Sequence, residues 1–189
     1  MTELTRRFDE AMAYALEAHR DHQRKGAGDI PYVSHLLAVT GLVLEAGGDE
    51  TAAIAAMLHD TIEDRPTPTR AAEIRQRFGD DVADAVLQCS AEAKTDTTEW
   101  LPRKQRYIAQ MGTAGPVALL VSLADKVHNL RTTVADYRRL GEAKLGDFNA
   151  PDWESVLWYY ESLADVYDER NEEPDVQLPE ALRGELRRA

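Results

Sequence analysis

The sequence predicts an all-α fold, a single helical bundle of about eight helices. Two observations carry that reading. Apolar residues recur at three- and four-residue steps along most of the chain, and no stretch keeps the two-residue alternation of a half-buried strand. Glycine and proline clusters punctuate those stripes where helices would stop.

The first stripe is Phe8, Met12, Ala15 and His19, broken by Gly26-Ala27-Gly28-Asp29-Ile30. Pro31 suits the first position of a second helix, with Tyr32, Leu36, Val39, Val43 and Ala46 on its stripe and Gly47-Gly48 at its end. Asp49 is a candidate N-cap for a third helix that runs through Ile54, Met57 and Leu58 toward Ile62, closed by Pro66 and Pro68. Two shorter helices follow around 69–78 and 80–92, with Gly79-Asp80 as stop and new cap. Thr95 to Thr98 reads as a polar loop, and a helix around 102–111 precedes the break at Gly112 and Gly115-Pro116. The longest stripe is Leu120, Leu123, Val127, Leu130, Val134 and Tyr137; the last strong one is Trp153, Val156, Tyr160, Leu163 and Tyr167. Residues 1–170 are expected to form one domain. Residues 171–189 are expected as a polar, solvated tail with a frayed helix over 179–188.

Composition narrows the class of protein. At 189 residues with 43% hydrophobic residues, the chain can build one sizeable core. A net charge of -12 argues against nucleic acid as a partner, though a metal and a few basic residues can reverse the field inside one cleft. No apolar run reaches the ~20 residues of a membrane helix. The polar start Thr2-Glu3-Leu4-Thr5-Arg6-Arg7 does not resemble a signal peptide. A single cysteine, Cys89, excludes an intrachain disulfide and fits a reducing cytoplasm. The expectation is a soluble cytoplasmic protein acting on a small molecule.

Chemistry concentrates in His59-Asp60-Thr61-Ile62-Glu63-Asp64. On a helix, Glu63 lies one turn beyond His59 and Asp64 one turn beyond Asp60, so four polar groups crowd the end of the apolar run Ala52 to Leu58. Taken alone, a His-Asp pair is more often a polar helix end. His35 sits beside an apolar stripe position and needs a polar partner or a metal; alone, a bond to a carbonyl would satisfy it. Asp125 ends the apolar run Val117 to Ala124, and Asp125, Asn129 and Thr132 form a polar stripe beside the apolar one. An aspartate on that side needs a cation, either a metal or a salt bridge to Arg24 or Arg131.

Together, two imidazoles and two carboxylates make a mixed nitrogen and oxygen ligand set. It suits Mn²⁺, Fe²⁺, Co²⁺ or Zn²⁺ better than an all-oxygen Mg²⁺ or Ca²⁺ site. Such a metal makes hydroxide available near neutral pH, and Glu63 and Asp64 could orient that water or shuttle a proton. Arg24-Lys25, Lys126 and Arg131 are candidate phosphate contacts, although cations at a helix end also complement its dipole. His19 and Cys89 read as core residues, and Trp100, Trp153 and Trp158 as packing residues. Gly26 and Gly28 form no GxGxxG or Walker-type loop.

The order His35, His59-Asp60, Asp125 resembles the HD phosphohydrolase superfamily, which implies that the bundle is a single HD domain. Three stretches resemble, more narrowly, the hydrolase domain of the RelA/SpoT alarmone enzymes. They run from His19 through Arg24-Lys25 to His35, over His59 to Asp64, and from Leu123 to Arg131. The similarity spans about residues 8–167, and the loop from Lys25 to Pro31 resembles the longer form of the animal Mesh-type hydrolases. With no synthetase, TGS or ACT segment, the chain looks like a stand-alone small alarmone hydrolase.

The resemblance implies hydrolysis of guanosine tetra- or pentaphosphate at its 3′-pyrophosphate, usually with Mn²⁺. It implies His35, His59, Asp60 and Asp125 as metal ligands and Glu63 and Asp64 as the catalytic acidic pair. Arg24, Lys25 and Asn129 match nucleotide-contacting positions, and Tyr159 is a candidate equivalent of a nucleotide-contacting tyrosine. Asp21-His22, Gly26, Asp29-Ile30-Pro31-Tyr32 and Arg65-Pro66 depart from the usual pattern, around the nucleotide pocket and not among the metal ligands. Base preference is therefore open: an adenine alarmone or NADPH are the alternatives among substrates. A lapsed, nucleotide-binding regulatory module is the alternative of another class.

Overall fold

The computed structural model describes residues 2–25, 29–90 and 100–188. Among the described residues the chain forms α1 (Arg6–Ala18), α2 (Val33–Glu45), α3 (Glu50–Leu58), the single turn α4 (Thr61–Asp64), α5 (Arg70–Phe78) and α6 (Asp80–Cys89). It continues with α7 (Trp100–Met111), α8 (Pro116–Leu140), a 3-10 stretch (Gly141–Phe148), α9 (Trp153–Arg170) and α10 (Glu180–Arg188). The all-α prediction holds. The predicted polar loop Thr95 to Thr98 lies outside the described residues, as does the Gly26 to Gly28 part of the first break.

Helix α3 is the axis of the fold. Ala52 to Leu58 are buried at every position, so this helix needs neighbours on all sides, and α1, α2, α6 and α8 supply them. Its start is set by Asp49, whose side chain accepts from Ala52 N at 2.9 Å. The approach from α2 requires Gly47 and Gly48. Gly47 has φ 83°, and a Cβ on Gly48 would stand 2.8 Å from the Val43 carbonyl oxygen. At its other end α3 stops at Leu58 instead of continuing to Ile62. His59 and Asp60 form a joint, and α4 is a separate turn in which Asp64 N donates to Asp60 O at 2.9 Å.

Helix α8 is the longest, roughly 37 Å at 1.5 Å per residue. It opens with Pro116 after Gly115, as the sequence predicts, and packs against α2, α3, α6 and α10. Pro31, in contrast, does not start α2. Arg24 N donates to Ile30 O at 2.9 Å and Tyr32 N to His22 O at 2.8 Å, while Gln23 and Pro31 form an isolated antiparallel bridge. This backbone clasp holds Pro31 ahead of the helix, and α2 begins at Val33.

The residues beyond 170 do not form a solvated tail. Val176, Leu178, Leu182 and Leu186 are buried, and α10 lies on α8 and α9. Arg187 Nε donates to Asp168 at 2.7 Å, and Arg131 Nη2 to Glu185 at 2.6 Å. The apolar positions are few and diluted by charge, so the segment's polarity hides the face that docks. No helix among the described residues is long and apolar enough to cross a membrane.

Candidate metal centre and cleft

The joint after α3 brings His59 and Asp60 opposite two other helices. His35 comes from the start of α2 and Asp125 from the buried half of α8. His35 Nε2 lies 3.3 Å from Asp60 Oδ2 and 3.1 Å from Asp125 Oδ1. His59 Nε2 lies 3.0 Å and 3.8 Å from the same two oxygens. Ligand atoms held about 2.1 Å from a common ion at right angles are themselves about 3 Å apart. The four atoms therefore have the spacing of adjacent ligands on one small cation, and His35, His59 and Asp125 alone bring ligand atoms within 4.8 Å of one another.

The chemistry of the donors agrees with the spacing. His59 Nδ1 is 2.7 Å from the Ala56 carbonyl, which can only accept, so this nitrogen carries the proton. In the neutral ring Nε2 is then a lone pair, buried without a hydrogen-bond partner and facing two carboxylates. His35 Nδ1 lies 2.8 Å from His128 Nδ1. Burial, and then the neighbouring His35, lower His128 to about 4, so its ring is neutral; where His35 is the donor of this pair, its Nε2 turns a lone pair inward as well.

Two lone pairs and two carboxylates converging in a buried space need a positive charge between them. The titration directions say the same. Burial works against ionisation of Asp60 and Asp125, yet the imidazoles, and for Asp125 first Lys126, hold both well below the usual carboxylate range. Burial also opposes a charged His59, and Asp60 and Asp125 still push it well above its ordinary value. These residues fit a divalent metal.

Each carboxylate is fixed from behind. The Tyr32 hydroxyl donates to Asp60 Oδ2 at 2.6 Å. Asn129 Nδ2 and Lys126 Nζ donate to the two oxygens of Asp125, each at 2.5 Å. Lys126, and neither Arg24 nor Arg131, is thus the ion-pair partner of Asp125. Arg24 Nη2 donates instead to Asn129 Oδ1 at 2.8 Å, while Arg131 is committed to α10.

The centre opens into a cleft of about 550 Å³. His35 and His59 lie beneath it. Asp60 and Asp125 reach its surface, joined by Glu63 and Asp64 from α4, Arg24 and Lys25 from the clasp, Lys126 and Asn129 from α8, and Tyr159 from α9. The structure thus brings the predicted ligands, the acidic pair and the predicted nucleotide contacts to one place, except Arg131, which is held by α10. It also adds residues that sequence reasoning misses. Arg103 and Lys104 on α7 and Lys144 of the 3-10 stretch line the cleft, giving six lysines and arginines against six carboxylates in a chain of 34 acidic and 22 basic residues. Trp100, expected only to pack, lines it too. His19 is buried in a stack with His22 and Tyr32, its Nδ1 meeting His22 Nδ1 at 3.0 Å while Nε2 has no partner. Cys89 is buried and donates to Ala118 O.

A histidine-aspartate joint flanked by a histidine and an aspartate from two other helices defines a class of protein, and the family comparison agrees. The model of the HD domain matches residues 11–144, and the chain belongs to that family.

Within it, the chain is similar to the guanosine-3′,5′-bis(diphosphate) 3′-pyrophosphohydrolase MESH1 of Xenopus tropicalis, 40% identical over 127 residues. That match covers 65% of this chain and 66% of the frog protein. The Homo sapiens MESH1 is 36% identical over 124 residues, with the same two coverages. The GTP pyrophosphokinase of Streptomyces coelicolor is 35% identical over 135 residues, covering 69% of this chain and 15% of that enzyme. A solved structure of a metazoan ortholog of SpoT that hydrolyses ppGpp superposes with a TM-score of 0.76 at 25% identity, over 99% of this chain and 95% of that one.

Proposed function

We propose that this chain is a metal-dependent hydrolase that removes the 3′-pyrophosphate of guanosine tetra- and pentaphosphate, leaving GDP or GTP. The observation that carries the reading is the convergence of His35, His59, Asp60 and Asp125 at the floor of a cleft that also presents Glu63, Asp64 and six lysines and arginines. The relatives that share this family act, by name, on that nucleotide. The donor set favours Mn²⁺, with Fe²⁺, Co²⁺ and Zn²⁺ as competitors, because imidazole and carboxylate are mixed. A divalent ion bound there would supply Lewis acidity, drawing the pKa of water toward neutrality and polarising a phosphoryl oxygen.

The chain's own groups supply the rest. A water oxygen bonds to the phosphorus carried on O3′, the P–O3′ bond breaks, and O3′ leaves as a hydroxyl. One proton must be removed from water and one delivered to O3′. Glu63 and Asp64, at the cleft surface beside Asp60, are the groups placed to carry them. Arg24, oriented by Asn129 and Thr132, and Lys25 line the same cleft and bind the nucleotide's phosphates or base. Tyr159 lines the cleft and offers a ring beside Lys104. Residues 1–170 supply all of these groups, with α10 acting as a buttress on α8 and α9.

Product analysis tests the reading. Purified protein with Mn²⁺ should convert guanosine tetraphosphate to GDP and pyrophosphate. Orthophosphate from NADPH in preference, or faster turnover of the adenine alarmone, would reassign the substrate. Binding of nucleotide without turnover at full metal occupancy would make the chain a regulatory module.

A further inference from the structure

Lys104 has surroundings that are unusual for a lysine. It stands on α7, one turn beyond Trp100, and lines the cleft. Its Nζ sits 4.1 Å from the centroid of the Tyr159 ring and 5.9 Å from that of Trp100. Among the described residues, no carboxylate forms an ion pair with it and no group hydrogen-bonds to it; its ammonium meets the two rings. Burial, then Lys126 and Arg103, lower its ammonium to about 7, with Glu63 and Asp125 pulling the other way. A half-buried cation over aromatic rings, without a counter-ion among the described residues, gains when something anionic arrives to pair with it. The charges that act on it most are Lys126, Arg103, Glu63 and Asp125, the groups around the metal centre, whereas Arg24 is held by Asn129 and Thr132.

We propose that Lys104, held over the Tyr159 ring and within reach of the charge of Glu63, binds the pyrophosphoryl group that is cleaved off, while Arg24 holds the nucleoside portion. This rests on the proposed pyrophosphohydrolase reading. It assigns Lys104 to the leaving pyrophosphate and not to the retained nucleotide. The ring faces attract the ammonium without accepting a directed hydrogen bond, which leaves its protons for phosphate oxygens.

The test compares wild type, Lys104→Met and Lys104→Arg, each loaded with Mn²⁺ and checked for a wild-type circular dichroism spectrum and melting curve. Methionine keeps the contact with the rings and removes the charge. Inorganic pyrophosphate binding is measured by calorimetry at fixed free Mn²⁺, and inhibition of guanosine tetraphosphate turnover is measured with pyrophosphate and with GDP. The expected result for Lys104→Met is pyrophosphate affinity and inhibition weaker by about tenfold or more, with GDP inhibition within about twofold of wild type. Lys104→Arg should recover most of the loss.

Unchanged pyrophosphate binding in Lys104→Met overturns the proposal, and so do equal losses for pyrophosphate and GDP. Wild type that binds pyrophosphate through Lys104 but does not turn over guanosine tetraphosphate leaves the anion site standing and removes the proposed function. Wild type that turns over the nucleotide with no loss in Lys104→Met removes only this inference.

Discussion

Replacing Tyr32 with phenylalanine isolates one atom of the metal centre. The Tyr32 hydroxyl donates to Asp60 Oδ2 at 2.6 Å, and that oxygen is the one facing both imidazoles, at 3.3 and 3.0 Å. Burial and the charge of Asp60 push the phenol well above its ordinary value, so it stays protonated and its donor role is fixed. A hydrogen bond to a charged group contributes about 1.5–3 kcal/mol. The bond exists with or without metal, so affinity registers only the part that aims the carboxylate. Groups that orient metal ligands from behind typically change affinity about 10–100-fold, and the shared part places this variant at the lower end, about tenfold or 1.4 kcal/mol.

In Tyr32 the ring stacks on His22 with centroids 3.9 Å apart, and a phenylalanine ring keeps that contact, so the fold should be retained. Mn²⁺ affinity is read by competition with a fluorescent chelator, alongside thermal melting. A dissociation constant within about twofold of wild type would refute the reasoning that Tyr32 aims Asp60. A variant that loses cooperative melting would show that the residue serves folding instead.

Asp60→Ala or Asp125→Ala should abolish metal binding and turnover together, measured by elemental analysis and product assay. Asp125→Ala should also lower stability by about 3–5 kcal/mol, because it strands the buried Lys126; turnover at wild-type metal content would remove the ligand assignment. Glu63→Gln and Asp64→Asn should keep metal while turnover falls about 10²–10⁴-fold, and unchanged kcat in both would remove their role in proton transfer. Lys104 is lowered to about 7, so its charge is present below that pH and lost above it. Pyrophosphate affinity of wild type relative to Lys104→Arg, which stays charged, should therefore fall by up to about tenfold per pH unit on the alkaline side; a flat ratio contradicts the assignment.

The helices are legible in the stripes because packing writes a period into the chain, and α3 is visible as apolar on every side. The break at His59-Asp60 is not, since the helical pattern runs on through Ile62 and the joint shows only in three dimensions. Pro31 misleads for a similar reason: its place is set by backbone pairing with Gln23, which no periodicity encodes. Within the site, His35 stands out beside an apolar stripe, and Asp60 and Asp125 stand out at the ends of apolar runs. Tyr32 lies on an apolar stripe and reads as core, although its hydroxyl reaches Asp60. Lys104 carries no signal, because burial over an aromatic ring from another helix leaves no trace in local sequence. The four leucines and valines that dock the C-terminal segment are masked by the charges around them.

The most direct measurement is the product spectrum of the purified chain with guanosine tetraphosphate, with Mn²⁺ added and after chelation. A metal-dependent 3′-pyrophosphohydrolase should give GDP and pyrophosphate in equal amounts with Mn²⁺, and no turnover after chelation until the metal is restored. Orthophosphate as the released product, or full activity in the chelated protein, would contradict it.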